Sequence, residues 1–407
     1  MAGLSMTRRQ MQTAFASLTG MVVSVHPILI APFAVFLQPV SNEFGWGRDI
    51  MPTALLIATI TATILYPFVG RLLDRFGPRA ILLPGFAFFG LAVCSLSQIS
   101  HSTHTLYGLF MLAGALSTLP TGIAFARLLS RTFVENRGLM LGICLGVGGG
   151  LGAALTPVVA HALIEQFGWR GAYIGLGLAP LLVGLPITAL YVMPPKGVTT
   201  DPIKETPEFG LELSATALLP SFYIIVAGIF VINMVMGGTI SHFIALATDR
   251  GISQGTATAM VSIASIATLT GQLAIGLALD RVRTPLLILP VIAVLLCGLL
   301  TVHHATGHYL LTLGIILMGL GAGSEYGILP YFLTRLFGLR AFGQIYGIIY
   351  ASSAVSYGIG PVLMGHYYET AGSYGPALIV FEVLLVLIAI LFAQIRTYSF
   401  EVDGRPM

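Results

Sequence analysis

The chain has 407 residues, of which 56% are hydrophobic and only 9% charged, with a net charge of +3 and a mean hydropathy of +0.92. Soluble domains carry about 25% charged residues, so the charges here are too few to coat a water-facing surface, and most of the outer surface must face lipid. The basic residues are scattered among apolar runs, which excludes nucleic acid as a partner.

The first apolar run follows Thr7-Arg8-Arg9, which mimics a twin-arginine export signal, with Ala14-Phe15-Ala16 placed like a cleavage site. The run continues to Val40, too long for a signal, and reads as a first membrane helix. A spanning helix needs about 20 mainly apolar residues. On that ruler, spans are expected near 14–39, 50–70, 80–99, 106–130, 138–163 and 171–193, then near 217–247, 255–278, 284–302, 309–334, 342–367 and 375–396. The fold class is therefore an all-α polytopic membrane protein with twelve transmembrane helices in two pseudo-symmetric six-helix bundles: an N-terminal half 1–193, a cytoplasmic linker 194–216 and a C-terminal half 217–407. The linker holds Lys196, Asp201, Lys204, Glu205, Glu208 and Glu212. With the N-terminus inside, all of the nineteen basic residues except Arg48, Arg170 and Arg250 lie in or beside cytoplasmic segments, so both termini are expected in the cytoplasm.

Two short charged turns support the two-fold division. Gly70-Arg71-Leu72-Leu73-Asp74-Arg75-Phe76-Gly77-Pro78-Arg79 joins the second and third spans, and Gly276-Leu277-Ala278-Leu279-Asp280-Arg281 stands at the same place half a chain later. Arg131-Thr132-Phe133 matches Arg335-Leu336-Phe337, Pro157 matches Pro361, and Gly168 matches Gly372 at a similar offset. Parallel six-span repeats are the sequence form of two halves that rock around a central site, which points to a secondary transporter.

The Gly70–Arg79 turn resembles the hallmark loop of the major facilitator superfamily, of the form Gly-x-Leu-x-Asp-Arg-x-Gly-x-Arg, with Pro78 where a basic residue is common. A narrower likeness is to the monocarboxylate porter and oxalate:formate exchanger branch. It is carried by Phe133-x-x-x-Arg137-Gly138-Leu139-x-Leu141-Gly142 running into Gly146, Gly148, Gly149 and Gly150, by Glu43-Phe44-Gly45-Trp46, and by Gly338-Leu339-Arg340-Ala341-Phe342-Gly343. Members that handle carboxylates often carry an arginine in helix eight, where this chain has Gln272. The Gly-Pro-x-x-Gly-Gly motif of drug:proton antiporters is missing from helix five, which makes multidrug efflux the weaker reading.

The resemblance implies a cavity lined by helices one, four, seven and ten, on which His26, Arg127, Asn233, Glu325 and Tyr331 fall; with Gln272 they form the expected substrate-binding set. Titratable groups at membrane depth are costly and are functional candidates by default. His26 precedes Pro27, whose missing N–H opens the helix, and Asn233 with Gly237-Gly238 marks the matching region of span seven, so both spans are expected to be interrupted. Glu325 and His26 are the candidates for proton coupling; a packed histidine and a structural pair holding the halves together are the alternatives. Arg127 keeps its charge and must find a carboxylate, backbone oxygens or an anionic solute, unless it snorkels to the interface. Arg71, Asp74, Arg75, Arg79, Asp280 and Arg281 are the expected gate, and Glu382 on span twelve is expected in an interhelical hydrogen bond or as a protonated acid.

No cofactor is expected. The stretch Gly146–Gly152 lacks the Gly-Lys-Ser/Thr ending of a phosphate loop. The histidines at 101, 104, 161, 242, 303, 304 and 366 show no metal-ligand spacing, and Cys94, Cys144 and Cys297 lie in apolar runs as small buried hydrophobes. The expected function is secondary active transport of a small organic solute, a monocarboxylate-like organic anion, with proton symport open, by a monomer in a bacterial inner membrane. A metabolite or drug efflux carrier of the same fold is the first alternative; a non-transporting membrane sensor or a polytopic enzyme is the second.

Overall fold

The computed structural model describes residues 6–46, 50–133, 136–192, 209–282 and 284–400. These are almost entirely helical, as they must be where hydrocarbon offers no partner to a backbone N–H or C=O. Ten helical stretches among the described residues are long and apolar enough to cross a bilayer. Two of them, Ile50–Gln98 and Arg137–Tyr191, have 49 and 55 residues, about twice what one crossing needs. Each is divided by a single glycine in a left-handed, extended conformation: Gly77 (φ 78°, ψ 167°) and Gly168 (φ 70°, ψ 170°). Only glycine reaches that region without strain. Counted by their arms, the stretches give the expected twelve spans.

The internal repeat is written in the backbone. Gly45 (φ 67°) ends the first span and Gly251 (φ 80°) the seventh, while Gly168 and Gly372 (φ 69°) end the fifth and eleventh. Left-handed glycines at one half-chain offset show that the two halves use the same turn chemistry. Of the expected linker, 194–208 lies outside the described residues. Its end packs in order: Leu211 N–H donates to the Phe337 carbonyl at 2.8 Å, and Leu213–Thr216 forms one helical turn.

The helix interruptions fall differently from the expectation. The first span is broken as expected, with Arg8–Val22 followed by a π-turn over His26–Ile30 and then Phe33–Phe44. Pro27 has no N–H to give, and Ala31 N–H closes on the His26 carbonyl at 2.8 Å, an i to i+5 bond. The seventh span, Pro220–Asp249, is one unbroken helix through Asn233 and Gly237-Gly238. There a Cβ on Gly237 would fall on the Tyr357 carbonyl, and one on Gly360 would fall on the Met234 carbonyl. The glycines let two helices approach closely instead of breaking one. The interrupted pair at matching positions is the fourth and tenth spans. Thr103–Ser117 gives way to Gly122–Thr132, and His308–Gly323 gives way at Ser324 to Glu325–Leu336. Tight i to i+3 bonds mark both breaks, from Leu119 N–H to the Leu116 carbonyl at 3.3 Å and from Ser324 N–H to the Gly321 carbonyl at 3.2 Å.

The chain divides into two compact units. The first comprises Met1–Val134, Ile143–Phe209 and Leu339–Gly347; the second comprises Glu135–Gly142, Gly210–Gly338 and Ile348–Met407. Within the first, Gly148 and Gly152 of the fifth span lie against the Leu18 and Val22 carbonyls of the first, and Thr156 Oγ1 donates to the Pro27 carbonyl at 2.6 Å. That bond satisfies one carbonyl near the π-turn from outside the helix. The core is aromatic and aliphatic, with Phe36, Phe86, Phe89, Phe110 and Phe125 fully buried in the first unit and Phe243, Phe332 and Phe381 in the second.

Candidate functional site

Each unit contains one aspartate that caps the N-terminus of a helix from a distant part of the chain. In the first unit Asp74 accepts Gly343 N–H at Oδ1 (2.7 Å) and Gln344 N–H at Oδ2 (2.8 Å). These amides open the helix Phe342–Ala371. The first N–H groups of a helix have no internal partner and carry its positive dipole end, so a carboxylate there satisfies donors and field together. Gly70, one turn earlier, permits the contact: a Cβ on Gly70 would strike the Gly343 carbonyl, and one on Gly343 would stand 2.5 Å from the Gly70 oxygen. Arg127 completes the cluster, donating from Nη1 to Asp74 Oδ1 at 2.5 Å, with side chains 2% and 7% exposed.

The second unit repeats the design around Asp280. Asp280 accepts Gly138 N–H at 2.8 Å and Leu139 N–H at 2.9 Å. A Cβ on Gly138 would stand 2.6 Å from the Gly276 oxygen. The buried guanidinium in electrostatic reach is Arg137, which also faces Tyr331 and Arg335. The structure thus brings Asp74 and Arg127 together in one cluster, and Asp280, Arg137 and Tyr331 in another. Of the other expected gate residues, Arg71 reaches Gln344 Oε1 at 3.4 Å, Arg75 lies over the Phe76 ring at 5.2 Å, Arg79 donates to the Val192 carbonyl, and Arg281 is exposed. The capped amides were not among the sequence candidates. The available signal was a glycine at the start of each capped helix, Gly138 and Gly343.

A third cluster lies within the membrane-spanning part of the second unit. Asn233 Nδ2 donates to both Glu325 oxygens at 3.0 Å and to the Ile229 carbonyl at 3.0 Å. Tyr350 of the eleventh span lies within electrostatic reach of Glu325 and is a further residue the sequence did not single out. Among the described residues no Lys, Arg or His forms an ion pair with Glu325. Gln272 is 4% exposed, with Oε1 lacking a hydrogen-bond partner among the described residues. It sits beside the break in the tenth span, since a Cβ on Gly323 would stand 3.0 Å from Gln272 N. His26, in the first unit, is exposed on its π-turn.

Elsewhere polar groups pair locally. Glu43 accepts Trp169 Nε1–H at 2.5 Å and Arg170 Nη1–H at 2.6 Å, and Glu382 meets His303 Nδ1 at 2.8 Å, the interhelical bond expected for it. Beyond the last span, Tyr398 lies over the buried Arg335 guanidinium at 4.7 Å, and Ser399 and Phe400 N–H both donate to the Arg335 carbonyl. Burial holds the Tyr398 hydroxyl far above the usual phenol range. That oxygen has no partner among the described residues. Removing an unsatisfied buried hydroxyl stabilises by about 1 kcal/mol, so Tyr398→Phe is expected to raise the thermal midpoint of the detergent-solubilised protein. A lower midpoint would show that the hydroxyl is bonded after all.

The Major Facilitator Superfamily family model matches residues 14–246 and 225–401. A fujikurins efflux protein from Gibberella fujikuroi is 28% identical over 222 residues, which are 53% of this chain and 45% of that one, so the match spans about half of that relative's length. Monocarboxylate transporter 13 from Bos taurus is 24% identical over 321 residues, covering 77% of this chain and 72% of the relative. Among solved structures, a Major Facilitator Superfamily transporter, FucP, in the outward conformation superposes with a TM-score of 0.73 at 16% identity, over 95% of this chain and 99% of the other. Two charged turns that cap distant helices, twelve spans in two repeated halves and a family model matched over nearly the whole length agree: the chain belongs to the Major Facilitator Superfamily.

Proposed function

We propose that this protein is a secondary active transporter that moves a small organic solute by alternating access, with a proton carried on Glu325. The observation that carries the reading is the Asn233–Glu325 pair: a carboxyl group within a membrane span, held by a neutral amide and with no cationic partner among the described residues. A carboxylate held by an arginine would be locked in its charged form, whereas one held by an amide can accept and release a proton as its surroundings change. His26 is the second candidate for the coupling path. Asp74 and Asp280 with their arginine neighbours form the gate, whose caps break and re-form during the cycle.

The name of the bovine relative supports a monocarboxylate-like cargo. Gln272, at the position of the expected helix-eight arginine, argues that any carboxylate is held elsewhere. Efflux is the second reading, favoured by the name of the fungal relative. The placement of Lys and Arg supports both termini in the cytoplasm, and a monomer in a bacterial inner membrane completes the reading. The test is uptake of labelled small organic acids and polyols into proteoliposomes, with and without an imposed pH gradient. Saturable uptake that accelerates when the outside is acidic is expected. Equal rates in both conditions would remove the proton, and absence of counterflow for every solute would remove the carrier.

A further inference from the structure

We propose that Asn233 is a specificity-determining residue that reads a hydrogen-bond donor, a hydroxyl or amino group, on the transported solute through its side-chain carbonyl. The proposal deepens the transporter reading and rests on it.

The orientation of this amide is fixed by its neighbours. An Asn side chain has two donor hydrogens on Nδ2 and an acceptor at Oδ1. One hydrogen of Asn233 goes to the Ile229 carbonyl at 3.0 Å, and the other is shared between Glu325 Oε1 and Oε2, each at 3.0 Å. The Ile229 oxygen can only accept. Turning the amide over would set Oδ1 against it, acceptor against acceptor at the same separation, so hydrogen-bond chemistry assigns the nitrogen. Both donors are thereby used, and Oδ1 points away from Ile229 and Glu325 with no partner among the described residues. Asn233 and Glu325 are each half-buried, so the pair is neither sealed in the core nor fully exposed.

The surroundings sharpen the chemistry. Beside the same break in the tenth span lies Gln272, nine-tenths buried, with a second side-chain oxygen that lacks a partner among the described residues. The charged group here is the Glu325 carboxyl. A bare carboxylate brings only acceptors and cannot satisfy the side-chain oxygen that Asn233 leaves without a partner among the described residues. A hydroxyl or amino group supplies the donor that Asn233 lacks, while a carboxylate on the same solute must be bound at another place. Sites built to bond a solute hydroxyl reject the analogue without it by large factors, because their own polar group is then left unpaired.

Matched pairs of small solutes test the proposal at equilibrium, without any gradient, by thermal-shift titration of the purified full-length protein. The pairs are 2-hydroxypropionate against propionate and 2-aminopropionate against propionate. In at least one pair the donor-bearing member is expected to bind about tenfold tighter or more. Asn233→Leu is expected to bring that pair within about twofold, and Asn233→Gln, which keeps a carbonyl, to restore part of the difference. Should Asn233→Leu not yield monodisperse protein, Asn233→Thr replaces it, and the preference of the unmodified protein remains a test in itself. A purely structural role for Asn233 would shift the melting midpoint and leave the ratio within each pair unchanged. Equal or tighter binding of the donor-free members, no saturable shift with any donor-bearing member, or a ratio that survives removal of the carbonyl would each overturn the proposal. Gradient-driven uptake is measured separately, so a preserved preference without proton driving sinks the coupling and leaves this inference standing, and the converse result does the opposite.

Discussion

Replacing Asp74 with alanine is expected to destabilise the protein on the order of 3–5 kcal/mol, the usual cost of stripping one partner from a buried ion pair. Arg127 is 2% exposed and would keep its charge in the interior without its carboxylate. Gly343 and Gln344 would lose the acceptor for their N–H groups at the same time. Asp74→Asn is expected to fall between, because an amide oxygen can cap one N–H while its NH2 group opposes the other donors. Asp280→Ala is expected to cost less, about 1–2 kcal/mol, since among the described residues that aspartate makes two backbone bonds and no hydrogen-bonded ion pair. Thermal unfolding of the solubilised variants gives the order directly. A midpoint for Asp280→Ala below that for Asp74→Ala would show that the Arg127 pair does not dominate the cap. Transport should slow in both variants, and a variant that keeps its stability but loses turnover would place the aspartate in the gating step.

The second large effect concerns Glu325. If its carboxyl carries one proton per solute, a pH difference of one unit can hold about a tenfold solute gradient, the equivalent of about 1.4 kcal/mol. In proteoliposomes that are acidic outside, the unmodified protein is expected to accumulate solute to about that ratio, whereas Glu325→Gln should only equilibrate it, a ratio of about one. Gln keeps an oxygen for Asn233 Nδ2 but cannot exchange a proton, so solute exchange without a gradient should persist better than accumulation. Glu325→Asp retains the acid on a shorter stem and should recover part of the accumulation. Full accumulation by Glu325→Gln would move the proton to another group, with His26 the first to examine.

Much of the architecture could be read from the chain because lipid leaves few choices. Apolar runs of spanning length had to be helices, and the positions of Gly77 and Gly168 between charged or aromatic residues marked where two long helical stretches divide. The repeat at Asp74 and Asp280 announced a two-fold design. Interruptions were harder. The His26-Pro27 break follows from the missing proline N–H, but Gly237-Gly238 is ambiguous in sequence, because glycine serves a kink and a close helix contact equally well. The break at Ser324 has no proline at its centre and was not legible.

Partner choice at the site shows the same boundary. The sequence marked His26, Arg127 and Glu325 as costly titratable groups at membrane depth, a property each residue has by itself, and singled out Asn233 and Gln272 by their positions in the repeat and the family pattern. Which of them meet depends on helix rotation and crossing, and these are set by packing between distant spans. Only the tertiary structure gave Arg127 to Asp74, aimed two distant helix N-termini at the two aspartates, and joined Asn233 to Glu325 beside Tyr350. The sequence by itself determined the solvent, the helices and their repetition, because those follow from the local free energy of each segment in lipid. The pairing of polar groups is a non-local outcome, and the fold decided it.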